Sequence, residues 1–184
     1  IEQPADAAVA VRVGAVGVGL FRSEFLFMGR HGNLPDEEEQ YQAYCAAIDG
    51  MQGLPVTIRT VDIGADKPLD SKIHKDNHLS PALGLRAIRW SLDDPAMFRV
   101  QLRALLRAAM HGPVQVLFPM LVLVSEIRPT LAQVDVAPAE LEGRGLVAGP
   151  VRLGALPDPP AAALLVPTLF RYFVLLSFGT NDLF

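Results

Sequence analysis

The sequence predicts an α/β fold built on a parallel sheet, and three observations carry that prediction. Short apolar runs alternate with longer amphipathic ones; the short runs are apolar throughout, so both of their faces must be covered; and polar residues gather where the runs end. Length and composition agree. With 184 residues, 51% hydrophobic and 20% charged, the chain can build one ordinary globular domain with a sizeable core. A formal net charge of -4 argues against a general nucleic-acid binder, which would carry a basic stripe, although a few arginines at one site fit this balance. The single cysteine, Cys45, has no internal disulfide partner and no metal-ligand spacing, which points to a reducing cytoplasm. No basic segment precedes the first apolar residues, so no signal peptide is expected. Every apolar stretch is broken by Gly, Pro or Arg before about 18 residues, so no membrane insertion is expected.

The elements follow in chain order. "AVGVGLFR" (15–22) predicts a first strand, and "LPDEEEQYQAYCAAIDGM" (34–51) a helix whose first-turn acids suit the positive end of the helix dipole. "PVTIRTVDIG" (55–64) is a second strand. "LGLRAIRWSL" (83–92) fits neither pattern cleanly, but "DDPAMFRVQLRALLRAAMHG" (93–112) has apolar residues at helical spacing and a terminal glycine. "PVQVLFPM" (113–120) is a third strand, followed by a helix over about 125–133 that Pro129 weakens. The stretch "VDVAPAELEGRGLVAGP" (134–150) is irregular and reads as a loop. "PVRLGALPD" (150–158) is a fourth strand, "PPAAALLVPTLFR" (159–171) a helix, and "YFVLLSFGTND" (172–182) a fifth strand.

A covered parallel sheet leaves two architectures, a doubly wound sheet or a β/α barrel. Arg22 ends the first run, Arg59 and Asp62 the second, Met120 the third, Asp158 the fourth, and Asn181 with Asp182 the fifth. In a β/α barrel such strand ends converge on one mouth, where the chemistry of that fold is found. Arginines facing carboxylates there suit an anionic, phosphate-bearing substrate, held by guanidinium forks and by a metal on the acids. The bland alternative is that these charges only cap strand ends in solvent.

"GVGLFRSEFLFM", "RTVDIGADK", "PALGLRAIR", "LFPM" and "FGTNDL" together resemble the phosphoenolpyruvate-binding barrel of the enzyme I family, the phosphoenolpyruvate-protein phosphotransferases of bacterial sugar uptake. The resemblance runs in order along essentially the whole chain. It implies a β/α barrel of the TIM type that binds phosphoenolpyruvate and Mg²⁺ at its mouth. It also implies a homodimer that passes the phosphoryl group to a histidine on a separate domain and then to a phosphocarrier protein. Position by position, Arg22 and Arg59 match the arginines that contact the phosphate, Arg86 a further basic residue near the ligand, Asn181 a phosphate contact and Asp182 a metal ligand. The family's second metal ligand is a glutamate; here Asp158 stands in its place, one methylene shorter. Mg²⁺ demands near-ideal octahedral distances, so the backbone must sit closer there or a water must intervene.

Other polar residues carry less. Asp62, Asp66 and Lys67 match the motif and either order the mouth by pairing among themselves or form a solvated loop; Glu24 either orients Arg22 or is an exposed acid. None of His31, His74, His78 and His111 matches the family's phosphorylated histidine, and a structural, solvent-exposed role is expected for each. Cys45, inside a helix, is expected to be a buried small hydrophobe.

A β/α barrel has eight strands and typically about 250 residues. By the resemblance this chain carries about strands 2 to 6, so 1–184 is expected to be part of a barrel within a longer protein. The last strands and the phosphohistidine domain would then lie elsewhere. Two other functions stay open: a catalytically silent dimerising or phosphoenolpyruvate-sensing relative, and a Mg²⁺-dependent lyase of pyruvate-like substrates.

Overall fold

The computed structural model describes residues 1–30, 33–63, 84–157 and 164–179. Within them, β1 (Val18–Arg22), β2 (Val56–Arg59), β3 (Val114–Pro119), β4 (Val151–Leu156) and β5 (Leu175–Leu176) form one sheet. All neighbours pair parallel and the spatial order follows the chain order. The order shows none of the reversal that marks a doubly wound sheet. Right-handed crossovers in such an order place the connecting helices on one face.

Three strands begin alike. Pro55, Pro113 and Pro150 each precede the Val that opens β2, β3 and β4. A proline has no N–H to extend a ladder, yet its carbonyl still accepts: Val18 N–H donates to Pro55 O at 2.8 Å and Val56 N–H to Pro113 O at 3.0 Å. Register then follows, with Val56 beside Val114 and Arg22 beside Arg59.

The helices are α1 (Asp6–Arg12), α2 (Glu37–Gly50), α3 (Ala87–Asp93), α4 (Pro95–Ala108), α5 (Val124–Glu142) and α6 (Val166–Leu169). Local chemistry starts the middle ones. Asp36 caps α2 by accepting from Glu39 N–H at 2.8 Å, and Asp94 caps α4 by accepting from Met97 N–H at 3.0 Å, with Pro95 in the first turn. At the start of α5, the Glu126 carboxylate reaches back to the N–H groups of Val122 and Leu123, both at 2.9 Å. Neighbouring helices pack in chain order: α1 on α2, α2 on α4, α4 on α5.

Alternate strand residues Val56 and Ile58, then Val114, Val116 and Phe118, point into the core beneath these helices. Edge-to-face contacts tie the layers, Phe21 to Tyr44 at 6.1 Å and Phe98 to Phe118 at 6.3 Å. A smaller apolar cluster of Phe27, Val61, Ile63, Trp90 and Met97 sits under the segments that follow β1 and β2. Outside the core, Glu37 of α2 binds Arg103 (2.7 Å) and Arg107 (2.9 Å) of α4 and Arg144 beyond α5 (2.6 Å), while Arg103 and Arg99 reach Glu140 of α5. Burial opposes ionisation of Glu37, but the hydrogen bonds from Arg144, Arg103 and Arg107 outweigh it and bring the carboxyl down to about 2.

Several expectations are corrected. The stretch read as a loop is helical as far as Glu142: α5 runs through both Pro129 and Pro138. Both prolines lie on its exposed side, while Ile127, Thr130, Ala137 and Leu141 are buried, so the apolar stripe outweighs two missing backbone donors. The ambiguous stretch 83–92 contains most of α3, and α1 has no counterpart in the sequence reading. The fifth strand is only two residues long, and of the expected helix at 159–171 the described part holds the short α6. Cys45 is buried, as expected. No helix among the described residues is long and apolar enough to cross a membrane.

Candidate functional site

The carboxyl ends of β1 and β2 carry the site. Arg22 and Arg59 are register partners, so both project from the face opposite the helix-packed Phe21 and Ile58. Directly after β1 the chain tightens into a short 3₁₀ turn (Ser23–Leu26) that buries Ser23 and Glu24. After β2, Thr60 N–H still donates to Leu117 O of β3 at 2.9 Å, and residues 61–63 then leave the sheet, with Val61 and Ile63 fully buried and Asp62 4% exposed.

These turns bring four charged side chains together. Arg59 donates from Nη2 to Glu24 Oε1, and its Nη1 forms an ion pair with Asp62 Oδ2 at 3.0 Å. Arg86, the residue before α3, donates from Nη2 to Asp62 Oδ1 at 3.0 Å. Among the described residues, two guanidiniums thus face two carboxylates. The geometry around Arg86 is held by backbone: Ala87 has a left-handed φ of 49°, and its N–H donates to Ile63 O at 3.2 Å. A left-handed non-glycine residue costs about 1 kcal/mol or more, so packing must enforce it. Met120, just after β3, is buried with a φ of 59° and donates its N–H to Leu156 O at 3.1 Å.

The expectation that Glu24 orients Arg22 is wrong in its partner. Glu24 lies inward and takes Arg59, whereas Arg22 points out and bonds Glu2 at 2.9 Å. That outer pair is about half exposed on both sides, a kind worth about 0–1 kcal/mol and easily exchanged for another anion. Arg59 keeps donors in reserve. Its Nη2 donates to Glu24 and its Nη1 pairs with Asp62, and its buried Nε has no acceptor among the described residues. Thr60 Oγ, fully buried beside it, has none there either.

Beneath the charges lies a hydrogen-bonded hub that the sequence reading missed. Gln101 of α4 is fully buried; its Oε1 accepts from Val61 N–H at 3.0 Å, and its Nε2 donates to Ser23 Oγ at 3.1 Å and Tyr44 Oη at 2.9 Å. Tyr44 passes the chain on to Gln40 Oε1 at 3.1 Å, and Gln40 to Pro35 O at 3.0 Å. Burial pushes the Tyr44 hydroxyl above the ordinary phenol range, and its bonds to Gln101 and Ser23 only partly oppose this. One signal was available: Gln101 falls on the apolar stripe of α4, between Phe98 and Leu105, where a polar residue needs a partner.

Arg59, Arg86 and Asp62 are therefore brought together, while Arg22 ends the neighbouring strand beside Arg59 with its side chain turned out to Glu2. Asp158, Asn181 and Asp182, expected to complete the phosphate and metal contacts, lie outside the described residues, as do Asp66, Lys67, His31, His74 and His78. Among the described residues no group of three His, Cys, Asp or Glu side chains is arranged to hold a metal. His111 sits away from the mouth, 3.2 Å from both the Tyr41 hydroxyl and Asp49 Oδ1. Two concavities of about 340 and 380 Å³ open at the other end of the strands, around Pro55, Gln115 and Pro150. Arg152 is the one charged residue lining them, so convergent charge singles out the carboxyl end instead.

Comparison with known proteins shows the family. The chain is 58% identical over its full length to a phosphoenolpyruvate-protein phosphotransferase of Cupriavidus necator, and 42% identical to proteins of the same name from Staphylococcus carnosus and Streptococcus equinus. In each case it spans 32% of the relative, so it covers about a third of the length of these proteins. The family model described as "PEP-utilising enzyme, PEP-binding domain" matches residues 1–184. This chain belongs to that family of phosphoenolpyruvate-binding domains.

Proposed function

We propose that this chain is the phosphoenolpyruvate-binding part of a phosphoenolpyruvate-protein phosphotransferase, with its ligand at the carboxyl ends of β1 and β2. The observation that carries the reading is the register pair Arg22 and Arg59, joined to Arg86 through Asp62, in a chain that the family model matches from end to end. Guanidinium groups suit a transferring phosphoryl group because each can hold two oxygens and stays charged throughout. Arg59, buried and clamped, fixes one oxygen; Arg22, exposed, exchanges Glu2 for another; Arg86 adds positive charge beside them.

In this reading the parallel strands are part of a β/α barrel that further strands complete. Asp158 and Asp182 hold Mg²⁺, whose preference for oxygen donors suits two carboxylates, and Asn181 contacts the phosphate. When bound, the metal neutralises charge on the phosphate oxygens. The phosphoryl group leaves the enol oxygen for a histidine nitrogen on another domain and then passes to a phosphocarrier protein for sugar uptake. Such an enzyme works in the cytoplasm as a homodimer.

The test is calorimetry of the intact protein with phosphoenolpyruvate, with and without Mg²⁺. Metal-dependent binding that weakens by about 10- to 100-fold in Arg22→Ala supports the reading. Binding that ignores both the metal and Arg22 would sink it. Binding without transfer to any histidine would favour a sensing relative instead.

A further inference from the structure

We propose that Asp62 is a positioning residue for phosphoryl transfer, locking Arg59 and Arg86 into one fixed pair before any ligand arrives. The inference rests on the function proposed above and adds a role to it. An acid between two arginines can act in two ways: as a stand-in anion that the substrate displaces, or as a permanent brace. The surroundings of Asp62 decide between them.

Each carboxylate oxygen has its own guanidinium, Oδ2 on Arg59 and Oδ1 on Arg86, both at 3.0 Å. A stand-in would have to swing away, and the chain on either side of Asp62 is pinned. Val61 N–H is held by the buried Gln101, Ile63 O by Ala87 N–H, and the side chains of Val61 and Ile63 are fully buried against Phe27, Trp90 and Met97. With both neighbours fixed in the apolar cluster, the backbone at Asp62 cannot carry the carboxylate away from the two arginines. Glu24 closes the same brace from the β1 side by taking the other Nη of Arg59. The guanidinium of Arg59 is thus oriented by one carboxylate at each Nη.

The two roles predict opposite signs. Removing a negative charge that competes with an anionic substrate would lower KM and leave kcat unchanged. Removing a brace lowers kcat, because the transferring group is then less well placed. In the intact protein, Asp62→Asn is expected to reduce kcat by about 10- to 100-fold with a smaller rise in KM for phosphoenolpyruvate, and Glu24→Gln to act in the same direction. The effect of Arg86→Ala is expected to shrink in the Asp62→Asn background, since the pair acts as a unit. Where a variant fails to fold, the ¹³C carboxyl signal of Asp62 in the wild-type protein still decides: it is expected to stay in place when phosphoenolpyruvate is added. A signal that moves to the position of a solvated carboxylate on ligand addition, or a lower KM with unchanged kcat in Asp62→Asn, overturns the proposal. Absence of phosphoenolpyruvate binding by the wild-type protein would instead overturn the function on which this role depends.

Discussion

Arg22 and Arg59 are register partners at the carboxyl ends of adjacent parallel strands, yet their guanidiniums sit in opposite surroundings. The Arg59 side chain is 11% exposed between two buried carboxylates; that of Arg22 is 47% exposed against the half-exposed Glu2. The difference separates stability from binding.

Arg59→Ala leaves Glu24 and Asp62 buried, with one opposing guanidinium removed. Breaking a buried ion pair in this way costs about 3–5 kcal/mol, a large share of a domain's stability of about 5–15 kcal/mol. Arg22→Ala costs less than about 1 kcal/mol, because its pair is solvated. Urea unfolding of the two variants is expected to rank them in that order, while both weaken phosphoenolpyruvate binding.

Gln101→Leu preserves the size of the side chain and removes all three of its bonds. Val61 N–H, Ser23 Oγ and Tyr44 Oη then lose a buried partner, at about 1–3 kcal/mol for each group left unsatisfied. A loss of about 3 kcal/mol or more in chemical unfolding is expected, together with a weaker grip on the segments carrying Glu24 and Asp62.

The Glu37 network makes stability depend on acid. Its carboxyl falls from a usual 4.5 to about 2 in the folded protein, so its contribution is complete above about 4.5 and disappears as pH drops through about 2. Discounted for water around the outer arginines, that contribution is about 2 kcal/mol. Across this window the stability of the wild type should fall with acid, seen as a falling urea midpoint, and Glu37→Gln should lose most of that pH dependence.

Pro138 lies on the exposed side of α5, in its interior, where it withholds a donor from the Val134 carbonyl. Pro138→Ala restores that bond while making the unfolded chain looser, so a net gain of about 1–2 kcal/mol is expected in thermal or urea unfolding. A loss of stability would mean that the proline ring itself packs against the rest of the protein.

Much of the architecture was legible because it depends on near neighbours. Asp36 and Asp94 cap helices three residues ahead of their partners, and alternating strand residues divide between core and mouth. The Arg22 and Arg59 positions at strand ends were readable for the same reason. Where a local rule competed with packing, the reading failed: two prolines argued against α5, and a buried stripe on its other side carried the helix through them.

The sequence by itself determined the strand and helix alternation, the Pro-Val strand starts and the arginines at strand ends, since each is encoded within a few residues. Tertiary structure alone decided which acid meets which arginine. Glu24 is 35 residues from Arg59, and Gln101 is 78 from Ser23. Those pairings exist only once parallel register aligns β1 with β2 and α4 brings Gln101 to the segments that follow them. No spacing in the chain encodes them, because they are set by the shape of the buried space the elements share.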